Sequence, residues 1–286
     1  MLKRLFNLTI SMAVGAGDWL LDSVRRRSGS EHSKCMVLAY HAVSPAERWR
    51  FARQMDVLLR MAKPISADAR SLPAGGGRFA AITFDDGLEN IIGNALPELE
   101  KRSIPSVLFI VTDALGRERT WEHLGGDDTR NEMIMSEEQL RGLPSELVTI
   151  GSHTSTHALL PKIDDTQLSR ELLNSRLKLE TMLNREIKLF SFPYGAFSDS
   201  VIEACRDSGY GRVFTALPVF AFGEPGEFVT GRVGASPLDW PIEFRLKVAG
   251  AYRWLPFAYS LKRTIRSIGR QKAQKPLPFK ENKEVA

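Results

Sequence analysis

The chain has 286 residues, 43% hydrophobic and 26% charged, the profile of an ordinary globular protein with room for one large α/β domain or two small ones. Its two cysteines, Cys35 and Cys205, make no disulfide framework and fit no metal-ligand spacing, so both read as buried thiols. The formal charge of +5 divides into +3 over residues 1–27, −7 over 28–244 and +9 over 245–286; an acidic body argues against nucleic acid as a partner, and basic ends suit an anionic membrane surface.

In chain order, Lys3 and Arg4 precede the apolar stretch LFNLTISMAVGAG, and Arg25, Arg26 and Arg27 follow. Asn7 and Asp18 interrupt the stretch, which is short and polar for a membrane span. An uncleaved interfacial helix is preferred here to a signal peptide, which makes residues 1–34 a basic, apolar extension. From residue 36 onward apolar runs alternate with helical patterns. The predicted strands are 36–41, 79–84, 106–111, 147–152, 187–192, 211–216 and 227–233, continuous apolar runs of the kind helices cover. Helices are predicted over 49–62 and over 164–184, the second with Asp164, Asp165 and Thr166 as possible caps and Leu168, Leu172, Leu179 and Leu183 on one face. Residues 73–78 form a turn, and 121–133 a polar insertion. About seven strands with intervening helices imply a parallel barrel or a doubly wound sheet over residues 35–244, with its chemistry at the C-terminal strand ends. Residues 245–286 form a basic amphipathic segment, aromatic and cationic over 251–270, and a tail.

Three motifs fall at those strand ends. Asp85 and Asp86 close the run AAITF; two adjacent carboxylates raise each other's pKa unless a cation holds them ionised. His153 and His157 follow Ile150 at i and i+4, and a helical turn over 152–157 would face both imidazoles one way. Two histidines and one carboxylate suit zinc or another first-row divalent ion, with positions open for water, and such an ion accounts for the carboxylate pair. Taken alone, a carboxylate pair is usually a solvated turn and a spaced histidine pair often lies on a surface; two such motifs at barrel strand ends are a far stronger signal. Pro193 and Gly195 then set a tight turn around Tyr194, either an ordinary loop or a device that aims a backbone N–H at an oxyanion.

TFDDG, HTSTH and FPYG, in this order and at these separations, resemble the polysaccharide deacetylase domain (NodB homology, carbohydrate esterase family 4) over roughly residues 35–240. The resemblance implies a distorted (β/α) barrel and one divalent metal, zinc or another first-row ion, and a hydrolase that removes acetyl groups from N-acetylated sugars. It implies Asp86, His153 and His157 as metal ligands, Asp85 as general base and Tyr194 as the oxyanion's backbone donor. Acetylated polysaccharide or glycolipid-linked glycan is the implied substrate.

Two departures stand out. Family members commonly carry an arginine, bracing the catalytic base, where this chain has Ser191; Arg232 either replaces it beside the base and substrate or makes a surface ion pair. No histidine follows His157 to match the family's late acid. His41 ends the first predicted strand, as in the exopolysaccharide-biosynthesis branch, and is either that acid or a structural histidine; His32 and His123 are less well placed. Trp240 either walls the sugar pocket or closes the barrel base. These departures leave open a catalytically impaired glycan-binding or assembly protein, or a deacylase acting on another acylated substrate. A peripheral membrane location is expected, its side undecided.

Overall fold

The computed structural model of the chain describes residues 1–27, 32–121 and 132–258. Helix α1 (Leu2–Arg27) precedes strand β1 (Ser33–Tyr40), α2 (Arg48–Met61), β2 (Lys63–Pro64) and β3 (Gly77–Phe84). Short helices α3 (Asn90–Asn94) and α4 (Leu96–Glu100) lead to β4 (Ser106–Ile110), α5 (Glu137–Arg141), β5 (Val148–Ser152) and α6 (Asp165–Leu183). The second half continues with β6 (Leu189–Ser191), α7 (Asp199–Asp207), β7 (Arg212–Phe214), β8 (Val229–Thr230), β9 (Val233–Gly234) and α8 (Pro241–Val248).

The strands form one sheet in the order β8-β7-β6-β5-β4-β3-β1-β9, with β2 also on β3, and every pairing is parallel. Among the described residues there are nine strands where seven were expected. The stretch 227–233 is two strands rather than one, and they lie at opposite ends of the sheet. Only Gly231 and Arg232 separate them, a link of about 10 Å at full extension, or about two strand spacings. The sheet therefore curls into a distorted (β/α) barrel whose seam is bridged by this dipeptide. The link is tight: a Cβ on Gly231 would lie 2.5 Å from the Leu217 carbonyl oxygen.

Strand alternation divides the buried side chains into two sets. Cys35, Val37, Phe79, Ala81, Val107, Phe109, Leu189 and Phe214 fill the lumen. Met36, Leu38, Tyr40, Ala80, Ile82, Phe84, Leu108 and Ile110 face the helices and join Phe51, Met55, Leu168 and Leu172. Burial on both faces explains why the strands read as unbroken apolar runs. Both cysteines are buried. Asp164 caps α6 through its side chain, which accepts from the Gln167 N–H, and the helix buries Leu168, Leu172, Ser175, Leu179 and Met182. Met182 takes the core position expected of Leu183. Residues 259–286, which include most of the predicted aromatic-basic segment, and residues 122–131, which include His123, lie outside the described residues.

Candidate metal centre

The lumen parity of β3 runs Phe79, Ala81, Thr83, Asp85, so the first carboxylate of the pair points into the barrel. Its backbone extends the ladder, with the Asp85 N–H donating to the Tyr40 carbonyl at 2.9 Å. Asp86 then turns left-handed at φ 70°, and Gly87 follows at 77°. The turn sends the two carboxylates in different directions, each toward its own cationic or ligand partner.

Asp85 meets Arg232 from the seam. The guanidinium donates from Nη1 to Oδ1 at 2.7 Å and from Nη2 to Oδ2 at 2.8 Å. Its other donors go to Thr83 Oγ1 (3.1 Å), Ser191 Oγ (2.6 Å) and the Thr215 carbonyl (3.3 Å). All five N–H groups are thus used inside the lumen, above Phe109 and Phe214. Ser191 returns a bond to Asp85 Oδ2 at 3.3 Å. Burial alone would raise the Asp85 pKa, but Arg232 outweighs it and holds the carboxyl down to about 2.

Asp86 faces the histidines. Its Oδ1 lies 3.5 Å from His153 Nε2 and 3.3 Å from His157 Nε2. One ligand atom from each of the three buried residues can be chosen so that all lie within 4.8 Å of one another. His153 continues β5, its N–H donating to the Ile110 carbonyl at 2.9 Å. Its Nδ1 contacts the Ser191 carbonyl at 2.8 Å; a carbonyl only accepts, so Nδ1 carries the proton and the Nε2 lone pair faces Asp86. Burial pushes the His153 pKa down to about 4, which keeps the ring neutral near pH 7.

The helical turn expected over 152–157 does not form. Thr154 and His157 are left-handed, at φ 70° and 63°, and the Thr154 hydroxyl accepts the His157 N–H at 2.9 Å. Glu171 of α6 holds the loop from outside, accepting from Ser155 N, Thr156 N and Thr156 Oγ1. Asp86, Thr154, His157 and Tyr194 account for four of the seven non-glycine residues with positive φ among those described. Such strain gathers where surrounding structure dictates a functional geometry.

Both Asp86 carboxylate oxygens and His157 Nδ1 are buried without a hydrogen-bond partner among the described residues. An ionised buried carboxylate lacking donors is costly, and a divalent cation between Asp86 and the two imidazoles removes that cost. The N₂O donor set, one ring neutral by burial, fits zinc or another first-row divalent ion.

Two residues at this site had not been singled out. Arg119 is buried with Nη1 3.7 Å from Asp86 Oδ2. Trp121 stacks on His157 at 4.5 Å and 15° between planes, opposite the edge-on ring of Tyr194 at 4.5 Å and 73°. Both sit in the polar stretch after β4, where no periodicity marks them.

A cavity of about 420 Å³ opens over the centre, and His41, Asp85, His153, His157, Tyr194 and Arg232 are in its wall. His41 follows β1 at the same barrel end. Lys247 of α8 also reaches the wall, its ammonium 2.7 Å from Asp239. At the Tyr194 turn, φ is 59°, and a Cβ on Gly195 would lie 2.5 Å from that of Ala216, so only glycine fits there. Trp240 is not in the cavity wall; it lies under the guanidinium of Arg4, 4.4 Å from the ring centroid.

Residues 74–213 match one family model, described as polysaccharide deacetylase. YxkH of Bacillus subtilis, named for the polysaccharide deacetylases, is 26% identical over 54% of this chain and 51% of its own length. A poly-β-1,6-N-acetyl-D-glucosamine N-deacetylase of Staphylococcus epidermidis is 28% identical over 47% of this chain and 46% of its own. The chain thus spans about half the length of these curated relatives. The solved structure of IcaB from Ammonifex degensii superposes with a TM-score of 0.61 at 25% identity, covering 78% of this chain and 98% of that one.

Proposed function

Residues 74–213 match the polysaccharide deacetylase family model, and from that match together with the geometry of the site we propose that the chain is a metal-dependent hydrolase of this family, removing N-acetyl groups from the amino sugars of a polysaccharide or lipid-linked glycan. The observation that carries this reading is the division of labour in the carboxylate pair. Asp85 is held ionised by Arg232, while Asp86 faces two histidines with both its oxygens lacking donors among the described residues.

Asp86, His153 and His157 hold the ion, and the Ser191 carbonyl fixes the His153 tautomer that exposes Nε2. Bound there, the ion supplies Lewis acidity toward a water and an amide carbonyl. Asp85 accepts the proton of the attacking water. Arg232 has no donor left for a sugar, so it acts through Asp85 as a positioning residue rather than in substrate binding. The left-handed turn at Tyr194 directs its backbone N–H to the developing oxyanion. His41 gives a proton to the departing nitrogen as the C–N bond breaks, leaving acetate and a free amine. Trp240, set outside the cavity wall, has no part in this scheme.

Ser191, where relatives of the family carry an arginine, ceases to argue for an impaired enzyme, because Arg232 reaches the same carboxylate from the seam. The name of the Staphylococcus relative supports an N-acetylglucosamine polymer as substrate class. Loading the protein with zinc, cobalt or manganese and assaying acetate from poly-β-1,6-N-acetylglucosamine and from chitooligosaccharides tests the reading. No release from either substrate with any of the three ions bound contradicts it.

A further inference from the structure

Helix α1 docks with its faces reversed. Between residues 4 and 24 its only charged side chains are Arg4, Asp18 and Asp22, and all three turn inward. Arg4 donates to Glu243 at 2.8 Å and to the Leu238 carbonyl at 3.0 Å. Asp18 pairs with Arg253, and Asp22 with Lys34 at 2.6 Å and Arg78 at 2.8 Å. Ser11, fully buried, accepts from Trp254 Nε1 at 2.9 Å. At Gly15 the helix comes so close to α8 that a Cβ would lie 3.0 Å from Leu246.

The opposite face carries Leu2, Leu5, Phe6, Met12, Trp19, Leu20 and Val24, all exposed. Phe6 is 63%, Trp19 61% and Leu20 57% accessible. A surface helix of a globular protein normally buries its apolar stripe and wets its polar one. Here ion pairs lock the polar stripe against the barrel, so rotation cannot hide the apolar one. The stripe is continuous with the C-terminal side through Phe6, which packs edge-on to Trp254 at 6.5 Å, and Phe257 beyond it is exposed.

We propose that this outward face is a membrane-seating surface whose occupant is the interface of an anionic lipid bilayer. Three observations select that occupant over another protein. The strip is free of charge along its length yet bounded in sequence by Lys3 at one end and Arg25, Arg26 and Arg27 at the other. Aromatic residues stand near both ends, as Phe6 and Trp19, where interfacial anchors sit. In sequence, the chain from residue 245 on carries a net charge of +9, and clustered cations near a bilayer draw acidic headgroups. No helix among the described residues is long and apolar enough to cross a membrane, and a one-sided strip on a helix about 39 Å long lies in the interface plane instead. The surface is independent of the hydrolase reading. If that reading holds, the seating has a consequence: Arg4 ties the start of α1 to Leu238 and Glu243, just beyond the cavity-wall residues Ala235 and Ser236, so glycan attached to lipid would reach the cavity from the seated side.

The test is flotation of the full chain, at low salt, with phosphatidylcholine vesicles with and without phosphatidylglycerol. The wild type floats with the anionic vesicles, and Phe6→Glu and Leu20→Glu each lower the bound fraction about tenfold or more without changing thermal stability. A Leu20→Cys variant carrying a polarity-sensitive dye reports a wet environment in buffer that turns apolar when anionic vesicles are added. Failure of the wild type to float, or equal flotation of the Glu variants, overturns the proposal. So does a dye shielded in buffer at every protein concentration, which means that the chain's own residues 259–286 cover the strip. A dye shielded only at high protein concentration overturns it in favour of a second copy. None of these readouts depends on turnover, so they stand or fall separately from acetate release.

Discussion

Replacing Arg232 by Met removes the cation that pairs with Asp85 inside the barrel while keeping a side chain of similar length. Both members of the pair are buried, and two parallel hydrogen bonds of 2.7 and 2.8 Å join them. Opposite charges about 4 Å apart at an effective dielectric of about 20 attract by about 4 kcal/mol. That value agrees with the roughly 3–5 kcal/mol lost when one partner of a buried pair is deleted. Part of the loss is relieved by protonation: burial already raises the Asp85 pKa, and without Arg232 that effect is no longer outweighed. The variant should therefore melt about 10 °C lower, and the acidic limb of its pH–activity profile should move upward by about one unit or more. Combining Arg232→Met with Asp85→Asn should recover part of the stability, because the uncompensated charge is gone, giving a coupling of more than about 1 kcal/mol in the double-mutant cycle. Thermal unfolding of the four proteins and pH profiles of the active ones measure both quantities. Stability within about 0.5 kcal/mol of wild type and an unmoved acidic limb would refute the reasoning, since that is the range of an ordinary surface substitution.

Asp86→Ala and His157→Ala should each lose the bound ion and activity together, whereas Asp85→Asn should keep the ion and lose turnover; elemental analysis beside acetate release separates the two classes. His41→Ala should lower kcat by about 10²- to 10⁴-fold at unchanged metal content, and a smaller effect removes it as the acid. The metal-free protein should lose stability in acid in two stages. His153 is depressed from 6.5 to about 4 in the folded state, so the unfolded chain takes up its proton first as pH falls through 6.5, and about 3 kcal/mol is lost by pH 4. Asp85, depressed from 3.8 to about 2, contributes stability above pH 3.8 that is lost between there and pH 2. Urea denaturation across pH measures this, and a flat curve from pH 7 to 4 contradicts the burial of a neutral His153.

The strands were legible because both faces of this barrel are covered, which leaves long apolar runs such as AAITF and SVLFI. The seam was not: residues 227–233 read as one short strand with nothing in the sequence to mark a break at Gly231 and Arg232, and only the pairing of β9 with β1 separates it from β8. Strand β2, two residues long, is too short to carry a pattern. At HTSTH the spacing of the histidines was informative but its geometric explanation was not, because the Ser152 and Thr154 hydroxyls accept from the local backbone and displace the helix. Arg119 meets Asp86 across thirty-three positions of chain, a contact that no local signal announces. The apolar stripe of α1 was visible in its composition; that it faces outward follows only from the partners of Arg4, Asp18 and Asp22.

Acetate released from poly-β-1,6-N-acetylglucosamine oligomers by the metal-loaded full chain, with Asp85→Asn as its pair, tests the central claim most directly. The account predicts acetate and new free amines in equal amounts from the wild type, and a fall of at least about a hundredfold in the Asp85→Asn protein at the same metal content. Equal release by the two proteins would contradict the role of Asp85, and amines that do not match the acetate would contradict N-deacetylation itself.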